Sequence, residues 1–476
     1  MMRVWSAERV FVKGRFERDW AIMVDNQGII QAVGPRRQLV SKANQVIHYP
    51  QAVMMPAFVN PHHHGFHTIF RGIADQVNSY SDLLHRLVWP LSRVIDDDLF
   101  DALCQIAFAE QAVSGVATVT EFHYLHNGAR RTSQSPSFAD RVIENALALG
   151  LRINLVYGFF DQGVSEETEA FIEPMDVSIN KFEQLVQSYG DHPSVKIMPG
   201  IHGLEHTSAE SIIAAGELSK KYDVPLHVQL ADRQEELAIA ERHYGTTPLR
   251  ALDLMELVDE RLVVINGTLL DDGEMQLLKD RGGSMVVCPS ASLAKGEDAP
   301  NVYALLRHGI PFSIGSDSAC TSNAFSPLDD LKLIEYLQRS QQDSFNILNR
   351  QSVVANLWEL VTTEPARFSG CNSGALMPGA PADFMMVNLN GPSFRPRWNF
   401  QTEVFMNQLV FGWGPQVQIQ GLVVNGVKIV NNGQLTQANL QASYDLIEQW
   451  SEAFLRSVDK GSDNEPAEVQ SESTAS

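Results

Sequence analysis

The sequence predicts an α/β protein, a (β/α)8 barrel with a small composite β-sandwich domain built from both termini. Three observations lead there. Eight short apolar segments alternate with helical patterns over residues 56–372, the pattern of parallel strands joined by helices. Both flanks read instead as short strands and turns. The first apolar run, Ala52 to Val59, leads into Asn60-Pro61-His62-His63-His64. A polar cluster at the C-terminal end of a strand is where barrels build their active sites.

The elements follow in order. Residues 1–55 hold strand candidates at Ala21–Val24, Ile29–Val33 and Gln45–Tyr49, parted by Asp25-Asn26-Gln27-Gly28 and Gly34-Pro35. So short a segment cannot bury a core alone. Residues 373–434 read alike, with Asp383–Val387 and Val417–Val430, the latter broken at Gly421 and Asn425-Gly426. The two ends are therefore expected to join, with the barrel inserted between them. Its strands are expected at Ala52–Val59, Thr118–Phe122, Ile153–Tyr157, Val195–Pro199, Pro225–Gln229, Leu262–Ile265, Ser284–Cys288 and Phe312–Gly315. Helices such as Leu99–Ser114 and Ala209–Tyr222 lie between. A further helix is expected over 435–458. The tail 459–476, rich in Ser, Glu, Asp, Gly and Pro, is expected to be disordered.

Bulk properties narrow the function. At 476 residues the chain is too long for one ordinary domain and suits a barrel plus a smaller one. A net charge of −21 lacks the basic footprint of a nucleic-acid binder and is repelled by anionic membrane surfaces. Neither partner is expected; a small-molecule substrate is. The four cysteines (Cys104, Cys288, Cys320, Cys371) are far apart and form no C-x-x-C, which suits reduced thiols of an intracellular protein. No stretch approaches the roughly 20 apolar residues of a membrane span, and the first residues lack the apolar core of a signal peptide. A cytoplasmic protein is expected.

On an extended strand, His62 and His64 point to one side and His63 to the other. Two same-side imidazoles suit one metal ion; three solvated loop histidines are the alternative. The polar residues at the ends of the predicted strands are His62, His64, His123, His202, Gln229, Asn266, Ser290 and Asp317.

Three stretches then carry a resemblance: Met55-Pro56-Ala57-Phe58-Val59-Asn60-Pro61-His62-His63-His64, Gly315-Ser316-Asp317-Ser318, and Met377-Pro378-Gly379-Ala380-Pro381-Ala382-Asp383. In order and spacing they resemble the amidohydrolase superfamily of metal-dependent hydrolases, over most of the chain except the tail. Thr120-Glu121-Phe122-His123-Tyr124-Leu125-His126, and Gly315-Ser316-Asp317 with Leu333-Ile334-Glu335-Tyr336, look most like the formimidoylglutamate deiminases and the wider cytosine-deaminase-like group. The resemblance implies one divalent ion, zinc or iron, and a homodimer. It implies that two first-strand histidines, a fifth-strand histidine and an eighth-strand aspartate hold the metal. The aspartate also takes a proton from the attacking water, a sixth-strand histidine orients that water, and a fifth-strand glutamate passes a proton to the leaving nitrogen.

Carried over, His62, His64 and Asp317 match. The fifth-strand motif reads His227-Val228-Gln229-Leu230-Ala231-Asp232, where the family resembles His-Ile-His-Leu-Ala-Glu. Gln229 thus stands at the ligand position and Asp232 at the acid position, and Asn266 replaces the sixth-strand histidine. A two-residue shift would make His227 the ligand, one layer deeper in the barrel. An amide oxygen is a weaker zinc ligand than imidazole, and small misplacements of a catalytic group can cost about 100-fold in rate. Two readings stand. One is a hydrolase acting on a non-peptide carbon–nitrogen bond, deaminase- or deiminase-like, through water attack at an atypical site with Asp317 and Asp232 catalytic. The other is a catalytically inactive pseudoenzyme that serves as a binding protein.

For substrate contacts the sequence offers His123, His202, Glu205 and Arg71. In formimidoylglutamate deiminases, a stretch similar to the one around Glu205 ends in an arginine that grips the substrate carboxylate. Glu205 would repel it, so that compound is not expected as substrate. Arg71 contacts substrate or caps helix carbonyls. Lys196 reads as structural. Val77 to Pro90, with Tyr80 and Trp89, reads as a lid or as core packing.

Overall fold

Eight parallel strands form one sheet in chain order: Phe58–His63, Val116–His123, Arg152–Phe159, Val195–Ile201, Leu226–Leu230, Leu262–Asn266, Ser284–Val287 and Phe312–Ile314. They belong to a computed structural model that describes residues 1–128, 136–163, 168–322, 325–345, 347–348, 355–412 and 419–462. The second and third strands are buried along their whole length, as strands with helices outside and a packed interior must be. Helices begin where a polar side chain caps them. Asp96 does so for Asp97–Val113, and Ser137 and Asp271 form capping boxes ahead of Phe138–Ala148 and Asp272–Arg281.

The barrel closes where the first and eighth strands run out. His63 bridges Asp317 in parallel register. The His64 N–H donates to the Asp317 carbonyl at 2.9 Å, and the Asp317 N–H donates to the His62 carbonyl at 3.2 Å. Gly315 permits this approach: a Cβ there would stand 2.8 Å from Val286 Cγ1 and 3.2 Å from His62 Cβ.

The two ends of the chain do join, in one continuous nine-stranded mixed sheet. Its long strand Gln45–Pro56 pairs in parallel with Arg3–Val12, and antiparallel with Phe384–Asn388. The run read as a single strand from Ala52 to Val59 is therefore two strands. Pro56 has no N–H to continue a ladder, and the chain changes sheets at Ala57. Arg3–Val12 is itself a strand that the sequence reading did not identify. The C-terminal helix spans Gln441–Ser462 and not 435–458, because Gln434–Leu435 is still a strand of the sheet. Of the tail expected to be disordered, 459–462 complete this helix and the rest lies outside the described residues. All four cysteines are free. Among the described residues no helix is long and apolar enough to cross a membrane.

One buried ion pair ties the third barrel strand to the terminal sheet. Arg152 Nε donates to Asp383 Oδ2 at 2.6 Å, and Asp383 Oδ1 accepts the Asn425 N–H at 2.7 Å. Removing one partner strands the other charge in the interior. Asp383→Ala is expected to lower stability in urea unfolding by about 3–5 kcal/mol. The Arg152→Met/Asp383→Ala double variant should lose much less than the sum of the single losses; additive losses would show the pair to be uncoupled.

Candidate active site

The strand register sets the centre. His63 turns outward, its Nδ1 2.7 Å from Glu121 Oε2 on the second strand. His62 and His64 turn inward, and with Asp317 they place three donor atoms within 4.8 Å of one another. His64 Nδ1 donates to the Phe122 carbonyl at 2.9 Å, which fixes the tautomer and aims the Nε2 lone pair at the centre. Burial lowers the pKa of both imidazoles, for His62 well below its ordinary value with the neighbouring histidines adding to the effect. Both are held neutral, the form that binds metal.

Gln229, inward-facing on the fifth strand, completes the group. Its amide nitrogen lies 3.2 Å from His62 Nε2 and 3.2 Å from His64 Nε2. Turned by 180°, the amide presents Oε1 to the same point. Two neutral imidazoles and a carboxylate, with one adaptable amide, fit a single divalent ion of the zinc type. The buried His62 Nδ1, which finds no hydrogen-bond partner among the described residues, leaves that ring free to present either tautomer.

Around this point lies a narrow cleft whose walls include His64, His202, Gln229, Asp232, Lys295 and Asp317. Asp232 receives Arg233 Nε at 3.2 Å and, more loosely, Asn266 Nδ2 at 3.5 Å. Burial pushes the Asp232 carboxyl up, but Lys295, Arg233 and these hydrogen bonds outweigh it and hold the pKa below its ordinary value. Glu205, from the loop after the fourth strand, accepts Arg233 Nη2 at 2.6 Å. Lys295 Nζ stands 3.1 Å from Glu297 Oε2 and 3.7 Å from Asp317 Oδ2. The Tyr80 ring lies between the two cations, 4.5 Å from the Arg233 guanidinium and 5.5 Å from the Lys295 ammonium.

The chain turns sharply as it leaves the fifth, sixth and eighth strands. Ala231, Asn266 and Asp317 all adopt positive φ, of 52°, 66° and 59°. The first of these turns swings Asp232 back over the mouth.

Several expectations are corrected. His227 does face inward one layer deeper, but its Nε2 lies 3.3 Å from the Phe368 carbonyl and it is not among the three converging donor side chains. Arg71 is exposed and pairs with Glu110, away from the cleft. His123 is buried, with its ring against Phe100 and His126, and does not line the cleft. Glu205 does not present a bare carboxylate, since Arg233 is bound to it. Asn266 reaches the site only through Asp232. Lys295 and Arg233 were missed; each is a loop cation with no periodicity or motif to mark it.

The matched family description, "Amidohydrolase family", covers residues 53–429. The chain belongs to the amidohydrolase family. It is 24% identical over 419 residues to the 5-methylthioadenosine/S-adenosylhomocysteine deaminase of Pyrococcus furiosus, covering 88% of this chain and 92% of that protein. It is 26% identical over 372 residues to the 5'-deoxyadenosine deaminase of Methanosphaera stadtmanae, covering 78% and 82%. Relatives of these names are hydrolases of carbon–nitrogen bonds other than peptide bonds, the enzyme class expected from the sequence. A zinc-bound adenosine deaminase from Xanthomonas campestris superposes with a TM-score of 0.84 at 22% identity, over 95% of this chain and 98% of that one. Zinc-bound atrazine chlorohydrolase from Arthrobacter aurescens gives 0.81 at 20%, over 95% and 100%. These structural likenesses establish the fold.

Asp330, in the helix Pro327–Gln341, accepts the Ser290 N–H at 3.0 Å and so fixes the helix Pro289–Ala294 that ends at Lys295. Burial pushes the Asp330 carboxyl up to about 7, against the pull of Ser290. A carboxyl with a raised folded pKa keeps its proton in the fold after the unfolded chain has lost it. Stability therefore falls as pH rises from about 4 to about 7, and stays lower above. Asp330→Asn keeps an acceptor oxygen and is expected to be about 3–4 kcal/mol more stable than wild type at pH 8, with the difference vanishing near pH 4. Urea unfolding at the two values checks this, and a pH-independent difference would refute it.

Proposed function

We propose that this chain is a metal-dependent hydrolytic deaminase of small nitrogen heterocycles, with adenosine derivatives the first class to test. The observation that carries the reading is the convergence of His62, His64 and Asp317 within 4.8 Å at the C-terminal mouth of the barrel. The substrate class is supported by the names of the relatives.

His62, His64 and Asp317, with Gln229 Oε1 as a weaker donor, would hold a divalent ion, which would supply the Lewis acidity that makes water nucleophilic near neutral pH. Asp317 accepts the proton of the attacking water at a carboxylate oxygen. Asp232, ionised at rest, takes up a proton released from the attacking water and passes it to the leaving nitrogen, its oxygens oriented by Arg233 and Asn266. One water is consumed and one ammonia leaves. Burial, reinforced by His206 and His64, holds His202 neutral, so it can hydrogen-bond a ring nitrogen or hydroxyl without adding charge. Tyr80 and Leu83 add an aromatic and an apolar wall to the cleft. Arg233 is engaged by Glu205 and Asp232, which supports the expectation that a formimidoylglutamate carboxylate finds no grip here.

A second reading, a non-catalytic binding protein, has one observation in its favour. Gln229 bonds both imidazoles and Lys295 pairs with Asp317, so these side chains satisfy one another. Zinc content separates the two. Stoichiometric zinc that is lost in His62→Ala and Asp317→Ala favours the enzyme; protein that stays metal-free in excess zinc favours the binding role.

Zinc-loaded protein is expected to release ammonia from 5'-deoxyadenosine, 5-methylthioadenosine or S-adenosylhomocysteine. Asp317→Asn should cut kcat by about 10²–10⁴, and a chelator should abolish turnover. No ammonia from any of these compounds, or turnover of formimidoylglutamate, would overturn the corresponding part of the reading.

A further inference from the structure

Lys295 is a cation of the mouth that the proposed chemistry leaves without a task. It follows the helix Pro289–Ala294, its side chain is only 8% exposed, and it lines the same cleft as His64, Gln229 and Asp232. The Asp317 carboxylate is divided between two neighbours. Oδ1 lies 3.9 Å from His64 Nε2, on the side of the histidine pair. Oδ2 lies 3.7 Å from Lys295 Nζ. A second carboxylate, Glu297, holds the ammonium from behind at 3.1 Å.

We infer that Lys295 is a built-in rival of the metal for Asp317, which lowers the affinity of the His62–His64–Asp317 centre. The inference rests on the metal reading given above. Two physical effects act together. An ammonium on Oδ2 draws negative charge away from Oδ1, the oxygen that faces the imidazoles, and weakens it as a ligand. A fixed positive charge in the same buried pocket also repels a divalent ion, in a medium that screens poorly. The donor set makes the centre sensitive to both, because an amide stands where a stronger ligand would otherwise compensate. The site is thereby tuned toward a metal that exchanges rather than one that is locked in. Glu297 acts as the counterweight, since it draws the ammonium back from Asp317.

The test is the affinity of the full-length protein for zinc alone, read by competition with a chromophoric chelator. The visible spectrum of the cobalt-substituted protein reports coordination separately. Lys295→Met keeps the aliphatic stem and removes the charge; it is expected to tighten zinc binding about tenfold or more. Lys295→Arg keeps the charge and should stay within about threefold of wild type. Glu297→Gln releases the ammonium toward Asp317 and should weaken binding, which tests the idea from the opposite side if Lys295→Met folds poorly. A Lys295→Met affinity equal to or weaker than wild type, or a Glu297→Gln affinity tighter than wild type, overturns the inference. If wild type takes up no zinc and Lys295→Met does, the rivalry is upheld while the metal-dependent deaminase reading fails. If zinc binds as expected but no ammonia is released, only the deaminase reading fails.

Discussion

The seam between the first and eighth strands is the constraint on which the rest depends. Its hydrogen bonds run from His62 and His64 to Asp317 through their own backbone atoms. The meeting of the three donor side chains is therefore a consequence of closing the ladder, with the pleat deciding which side chains look inward. His63 confirms the phase by pairing outward with Glu121. Gly315 keeps the strands close enough for this. Any change that opens the seam would lose the barrel and the centre together.

Around the seam, charge is arranged in opposed pairs. Asp317 and Glu297 face Lys295, and Asp232 and Glu205 face Arg233, with Tyr80 between the cations. Buried charges persist only when paired in this way. The pairing alters what Glu205 means. Taken alone in the sequence it is a negative charge facing the substrate, whereas in the fold it is one half of a neutralised contact. The selectivity of the cleft follows from the whole arrangement.

The fold was legible because its strands are short, mostly apolar segments separated by helical periods, a pattern that burial on both faces favours. The three converging donor side chains were legible because strand alternation relates His62 to His64 and a short motif surrounds Asp317. What escaped the sequence depended on register or on loops. The change of sheet at Ala57 is invisible in an unbroken apolar run, with Pro56 its only mark. His123 is polar at a strand end, as a site residue would be, yet its side chain leaves on the wrong side. Arg71 lies a few residues past His62 and His64 but faces Glu110. Lys295 and Arg233 come from loops, where no period predicts direction.

The positive φ values of Ala231, Asn266 and Asp317 bear on how this chain could be altered. Such conformations cost an L-residue on the order of 1–3 kcal/mol each, and glycine relieves the strain. Three such positions thus stand together at the rim around the candidate centre, while others, such as Lys13, Asp19 and Glu256, lie elsewhere in the chain. At these three positions a glycine would relieve the backbone but would also loosen Asp232 or delete a polar group of the candidate site; at Lys13 or Glu256, which share the conformation, it would not. Hardening is better sought in the outer helices and the terminal sheet, where rigidity can be added without touching the mouth of the barrel.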